Sequence, residues 1–341
     1  MEMLNSTSML LGNDLWQTII AWFGSWILNY GWAIIVFTIA LKLVLLPLDI
    51  FQRVSSQKQN RFMRVMQPEM KAIQEKYANN KDRLNQETAK LYKKYNMNMG
   101  GMCLSMLIPM VLSLVIFFTL FSSLRTYGNE KLYTTYEQLD KVVVAEVGET
   151  SIKDFENKED LVIEVKAEYE KVRKQNGWLW VKNVWKSDTA ESQFVDFKNY
   201  AAHKKLNGEA KTLAQERYNF IVETIDGEKQ SNNGYYILIF MAAGVSFLTQ
   251  FISAKLMTPK GQKLNTMNKV MFVVMPLSMI LFASTSNAVF ALYIITNSLM
   301  STIISTTLTL IMNHRDKGKS DEELIQTKKV EVVEYSRNYK K

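Results

Sequence analysis

The chain has 341 residues, with 41 Lys plus Arg against 33 Asp plus Glu, a net charge of +8 and a mean hydropathy of −0.09. That average conceals apolar blocks of about 20 residues, long enough to cross ~30 Å of hydrocarbon, alternating with Lys- and Glu-rich stretches, which excludes a soluble domain with dispersed apolar residues. The single Cys103 excludes an internal disulfide and a multi-cysteine metal site.

In chain order, residues 1–29 carry Leu15, Trp16, Ile19, Ile20, Trp22, Phe23, Trp26 and Ile27 at helical spacing and hold no basic residue. Three Trp in such a stretch predict an amphipathic helix lying in the outer membrane interface, and the missing basic start argues against a signal peptide. The first span is expected over 30–50. Residues 51–100, with 11 basic and 4 acidic residues, read as a helical hairpin. One arm is marked by Phe51, Val54, Phe62, Val65, Met66, Met70 and Ile73, the turn by Asn79 and Asn80, and the return arm runs from Asp82 to Tyr95. Pro68 is expected to kink the first arm or start a new helix.

Further spans are expected over 103–124, 235–257, 270–284 and 288–312, the last two as a tight hairpin across Ser284–Asn287. The fourth is short. Residues 125–234 hold 17 basic and 20 acidic residues and form an inserted region. Within it Lys141–Val147 and Leu161–Lys166 look strand-like, and Thr189–Glu223 reads as one or two helices. The loop 255–269 has 4 basic and no acidic residues, and the tail 313–341 has 8 basic and 6 acidic. With five spans, all three basic segments fall on one side. The basic-residue rule then puts the hairpin and tail in the cytoplasm, and the N-terminus and residues 125–234 outside.

Lys42 stands in a run, Ala33–Leu48, that is otherwise apolar but for Thr38. A cation there costs about 2.5–3.5 kcal/mol on insertion scales. Two readings fit: a water-filled cavity, or snorkelling to the interface from ~12 Å before Ile50. Thr38, Lys42 and Asp49 share a helical face. Polar faces recur at Ser246, Thr249, Gln250 and Ser253, at Asn297, Ser298, Ser301, Thr302, Ser305 and Thr309, and at Ser105 and Ser113. Each alone reads as helix–helix glue, and together with Lys42 they fit a hydrated groove lined by the spans. No Gly-rich phosphate loop, intramembrane carboxylate pair, or His or Cys spacing for zinc is present, so neither an enzyme nor a metal or other cofactor is expected.

These residues resemble the YidC family of membrane-protein insertases. YGWAIIVFTIALKLVLLPLDIFQ (30–52) is similar to the family's first core span, MQPEMKAIQEKY (66–77) and NNKDRLNQETAKLYKKYNMN (79–98) to its cytoplasmic hairpin, and Gly101 and Cys103 to the entry of its second span. GWLWVKNVWKSD (177–188) resembles the aromatic segment before the third span, GYYILIFMAAGVSFLTQFIS (234–253) the span itself, and VMPLSMILF with ALYIITNSLMSTI (274–282, 291–303) the closing hairpin. Three features depart from the pattern: Asn98-Met99 replaces an Asn-Pro, Ser105 stands where a Pro is common, and 127–177 and 189–233 look like insertions.

The resemblance implies an all-α polytopic membrane protein. Five transmembrane helices surround a hydrophilic groove open to the cytoplasm, with a cytoplasmic hairpin and a small α or α+β extracytoplasmic insertion. The family's groove carries a positive residue in the first span, usually Arg, at the position of Lys42. The implied groove contacts are Lys42, Thr38, Ser105, Gln250, Asn297, Ser298, Ser301 and Thr302, with Arg53, Lys58, Arg61, Arg64, Lys71 and Lys76 on the substrate-receiving hairpin. The implied partners are nascent membrane proteins, the ribosome (through hairpin and tail), the Sec translocon and anionic lipids, in a bacterial plasma membrane. Two other classes remain to be distinguished: a small-solute or ion transporter using Lys42, and a membrane-anchored scaffold acting through 125–234.

Overall fold

The computed structural model describes residues 13–95, 99–148, 150–227, 232–257, 266–321, 323 and 324, without the side chains of 13, 14, 99–106, 257 and 266–269. Among them the regular structure is helical: α1 Asn13–Trp26, α2 Tyr30–Lys76, α3 Lys81–Lys94, α4 Met99–Val147, α5 Lys158–Asn176, α6 Phe197–His203, α7 Gly208–Asp226, α8 Ile237–Met257, α9 Thr266–Thr285 and α10 Ala288–Arg315. Four of these, α2, α4, α8 and α10, are long and apolar enough to cross a membrane, and the Val270–Thr285 stretch of α9 is a shorter apolar helix. The protein is therefore an all-α polytopic membrane protein.

Two of the helices outrun any bilayer. At 1.5 Å per residue, the 47 residues of α2 and the 49 of α4 span about 70 Å each, more than twice a hydrocarbon core. The expected span 103–124 is thus the first half of a longer rod. Pro68 lies inside α2 and does not end it. A mid-helix proline costs about 3 kcal/mol. Met66, 1% exposed two residues before it, and Met70 and Ile73 after it pack with Leu91 and hold the helix on both sides.

The chain divides into two compact units: residues 1–42, 116–250 and 266–299, and residues 43–115, 251–265 and 300–341. In the first, the strand-like readings are overturned. Lys141–Val147 is the end of α4 and Leu161–Lys166 lies within α5. The apolar residues there follow a helical period instead: Leu132, Tyr136, Leu139, Val143 and Val147 recur every three or four residues and are buried. They pack with Leu161 and Val165 of α5 and Tyr218, Ile221 and Val222 of α7. Tyr136 meets Tyr200 edge-on at 4.5 Å, and Arg217 pairs with Asp140 at 2.8 Å.

Residues 177–196 are irregular, with isolated bridges between Trp178 and Val181 and between Ser192 and Asn232, and side chains share with backbone partners the task of satisfying their backbone groups. Asn233 accepts from Asn183 N–H at 2.8 Å and donates to the carbonyls of Asn183 and Ser187 at 3.0 and 2.8 Å. Asp188, 1% exposed, accepts from Tyr235 and Leu238 N–H at 2.8 and 2.6 Å, which caps α8. Asn287 caps α10 by accepting from Phe290 N–H at 3.1 Å and donates to Leu124 C=O at 2.9 Å. Trp185, buried, meets Tyr30 at 4.9 Å and Tyr127 at 5.3 Å. The aromatic segment therefore ties the starts of α2, α8 and α10 to α4.

α1 buries Ile20 and leaves Trp22 and Trp26 53% and 74% exposed. Trp16 donates to Thr119 at 3.1 Å. One face packs on the unit and the other presents indoles, the distribution an interfacial helix requires.

In the second unit the C-terminal part of α2 and α3 form the hairpin, closed by Met66 and Leu91 with Phe62, Met70, Ile73, Tyr92 and Tyr95 around them. Asn80 caps α3 by accepting from Arg83 N–H at 3.0 Å, and Lys94 pairs with Glu69 across the arms at 2.7 Å.

Candidate functional site

The first unit carries Thr38, Lys42, Gln250, Asn297 and Ser298 of the candidate groove. Thr38 is fully buried and donates to Ile34 C=O of its own helix at 2.6 Å, so its proton is already committed. Lys42, one turn on, is 9% exposed. Burial of an ammonium in a helix otherwise bare of charge is unfavourable unless polar atoms or water surround it. Ser246, one turn before Gln250 on α8, is likewise buried, and Gln250, Asn297 and Ser298 are half-buried. Ser301 and Thr302, half-buried on α10, belong to the second unit. The side chain of Ser105 lies outside the described residues, as do Gly101 and Cys103 beyond their helical backbone.

The six basic residues expected to receive substrate separate into two kinds. Lys58, Lys71 and Lys76 are exposed, Lys58 lying 6.0 Å from the Phe62 ring and Lys76 5.4 Å from that of Tyr77. Arg53, Arg61 and Arg64 are engaged. Arg53, 8% exposed, donates Nε and Nη2 to Thr309 Oγ1 at 2.9 and 2.6 Å. Arg61 pairs with Asp316 at 2.6 Å, and Arg64 with Asp321 at 2.7 Å. Burial pushes the Asp316 carboxyl up, but hydrogen bonds from Arg315 and Arg61 outweigh it and hold the group below the usual carboxylate range. A cavity of about 230 Å³ opens among these groups, within the second unit.

Sequence reasoning missed Thr309, Asp316 and Asp321 as partners of the hairpin arginines. The pairs are 255 to 257 residues apart, and the acids stand in a tail of net basic charge. The one available signal was the placement of two aspartates directly after the last span. Residues 325–341, including the terminal lysines, lie outside the described residues.

The family model described as 60Kd inner membrane protein matches residues 22–317, from the end of α1 through α10. The chain belongs to the 60Kd inner membrane protein family. Three relatives each named "membrane protein insertase YidC" illustrate its neighbours. The one from Caldanaerobacter subterraneus subsp. tengcongensis is 42% identical over 99 residues, 29% of this chain and 44% of the relative. That of Leptospira interrogans is 43% identical over 95 residues, 28% and 14% respectively. That of Clostridium tetani is 46% identical over 88 residues, 25% and 38%. The matched stretch spans less than half the length of each. Family and apolar helices together make this chain a multi-pass membrane protein of bacterial type.

Proposed function

We propose that this chain is a membrane-protein insertase that moves nascent hydrophobic segments from the cytoplasm into the bilayer through a hydrated groove. Lys42, Gln250, Asn297 and Ser298 of the first unit line that groove, and the N-terminus faces outward. The reading rests on Lys42, a buried ammonium in the first apolar helix of a chain whose relatives bear the insertase name. The exposed hairpin lysines Lys58, Lys71 and Lys76 receive the segment first. Its polar flank, acidic residues above all, then rests near Lys42, which shortens the hydrocarbon path. The apolar stretch partitions into lipid at about 25 cal/mol per Å² buried, and that supplies the driving force. No nucleotide, metal or covalent step enters. The ribosome, the Sec translocon and anionic lipids are the proposed partners.

Reconstitution tests the reading. Full-length protein in liposomes should insert a short single-span protein without added energy. Lys42→Ala should slow substrates with acidic translocated tails about tenfold, a fraction of the about 2.5–3.5 kcal/mol that a carboxylate costs at mid-membrane. Crosslinkers at positions 42, 250 and 301 should capture a stalled nascent chain. Solute flux in place of insertion would make the protein a transporter, and equal losses on uncharged tails would reduce Lys42 to a structural part.

A further inference from the structure

The arginines of α2 do not stand alike in the second unit. Arg61 and Arg64 meet Asp316 and Asp321. Arg53 has Thr309 Oγ1, a neutral oxygen that already donates to Ser305 C=O at 2.6 Å, and among the described residues no carboxylate within ion-pair distance. It is more than nine-tenths buried. A guanidinium offers five N–H donors, of which two serve one hydroxyl oxygen here. A buried cation without a counter-charge is strongly unfavourable.

The cavity of about 230 Å³ that Arg53 lines also receives Gln57, Asn60 and Asn313, whose amides add neutral donors. Counting its charged walls, Arg53, Arg61, Arg64 and Lys319 stand against Asp316 and Asp321, an excess of two positive charges.

Its depth follows from the helices. Arg53 comes three residues after Ile50, about 4.5 Å along the axis. The Arg53–Thr309 bond sets α10 level with it. On both helices large apolar side chains are exposed at this height: Phe51 and Val54 on α2 at 52% and 44%, and Leu310 and Ile311 on α10 at 58% and 59%. Beyond them α10 turns polar at Asn313, His314 and Arg315. The hydrocarbon therefore ends where the cavity begins, which is the depth of lipid phosphates.

We infer that this cavity is a binding site for the phosphate of an anionic phospholipid, with Arg53 as counter-ion and acyl chains against Phe51, Val54, Leu310 and Ile311. The tail's aspartates pair with the two arginines farther from the bilayer, which leaves Arg53 as the arginine of the wall without a carboxylate and Lys319 as the second excess cation. A phosphodiester removes one of the two excess charges and a two-phosphate lipid both. The inference needs only the membrane-spanning reading and stands or falls apart from insertion.

Full-length protein in phosphatidylcholine nanodiscs is titrated with spin-labelled phosphatidylglycerol, and the motionally restricted fraction is read. R53Q should weaken binding about tenfold, as expected for loss of a charge-assisted bond. K90Q, which removes an equal charge from the exposed Lys90–Glu87 pair on α3, should leave binding unchanged. Inorganic phosphate should not displace the label. Equal binding by R53Q and wild type, an equal fall in K90Q, or displacement by inorganic phosphate would each overturn the assignment, the last by making it a site for a free ion. Circular dichroism checks that R53Q folds, and Q57L should weaken binding about threefold with Arg53 in place. Unchanged binding in Q57L would remove the amide wall from the site.

Discussion

Asp188 shows how one carboxylate positions a membrane span. It lies in irregular chain, 1% exposed, yet it accepts from Leu238 N–H, one of the four orphan donors at the start of α8, and from Tyr235 N–H just ahead of the helix. Asp188→Ala leaves buried donors without acceptors and should cost about 3 kcal/mol, read as a lower melting temperature by near-ultraviolet circular dichroism of the surrounding indoles. Gly31 makes a different point. A Cβ there would run into the Trp178 ring and its own Cβ, so Gly31→Ala should cost about 1–3 kcal/mol through overpacking, with Trp178 emission altered. Unaltered melting in both variants would mean that the aromatic segment 177–196 is dispensable for the first unit. Neither role was legible in the sequence. Trp178 and Asp188 stood in a recognisable aromatic segment, but their partners depend on a chain path that closes over 50 residues in one case and 147 in the other.

The hairpin and the end of α10 are the elements whose energetics can be separated. Met66→Ala removes the most buried side chain between α2 and α3 and should cost about 2–5 kcal/mol locally. Amide exchange should then rise throughout α3 while α8 and α10 keep their protection. The stretch after α10 is held more weakly. Its pairs with Arg61 and Arg64 are part-exposed and worth about 1 kcal/mol or less each. D316N with D321N should expose Lys317 and Lys319 to trypsin several times faster with little change in melting. The pH dependence has a definite sign. Asp316 is held below its unfolded value near 3.8, so its contribution is complete above that value and is lost as pH falls through the lower folded one. Exchange corrected for intrinsic rate in residues 313–321 should stay flat from neutral pH down to about 4 and rise only below it. The hairpin's existence was readable from Phe62, Met66, Met70 and Ile73 at helical spacing and from Asn79-Asn80. Its continuity with the first span was not, because the local cost of Pro68 is visible in the sequence and the packing that offsets it is not.

For the whole molecule the decisive quantity is which side each charged region occupies. With Cys103 replaced by Ser, a cysteine at Lys90 should react with an impermeant maleimide only after cells are opened, and one at Lys211 should react in intact cells. The reverse pattern would invert the proposed orientation and remove the groove's access to nascent chains. The count of apolar blocks, the paired α9–α10 turn and the lone Lys42 were all legible from residue type and order. Transfer into hydrocarbon is nearly additive over about 20 consecutive residues, and one charge among them stands out whatever the rest of the chain does. Tertiary structure alone decided that the span expected over 103–124 continues to Val147, that the inserted region is helical, and that Arg53, Arg61 and Arg64 part company through Thr309, Asp316 and Asp321. Those outcomes depend on contacts between residues far apart in the chain, whose energies appear only when the backbone has brought them within a few ångströms.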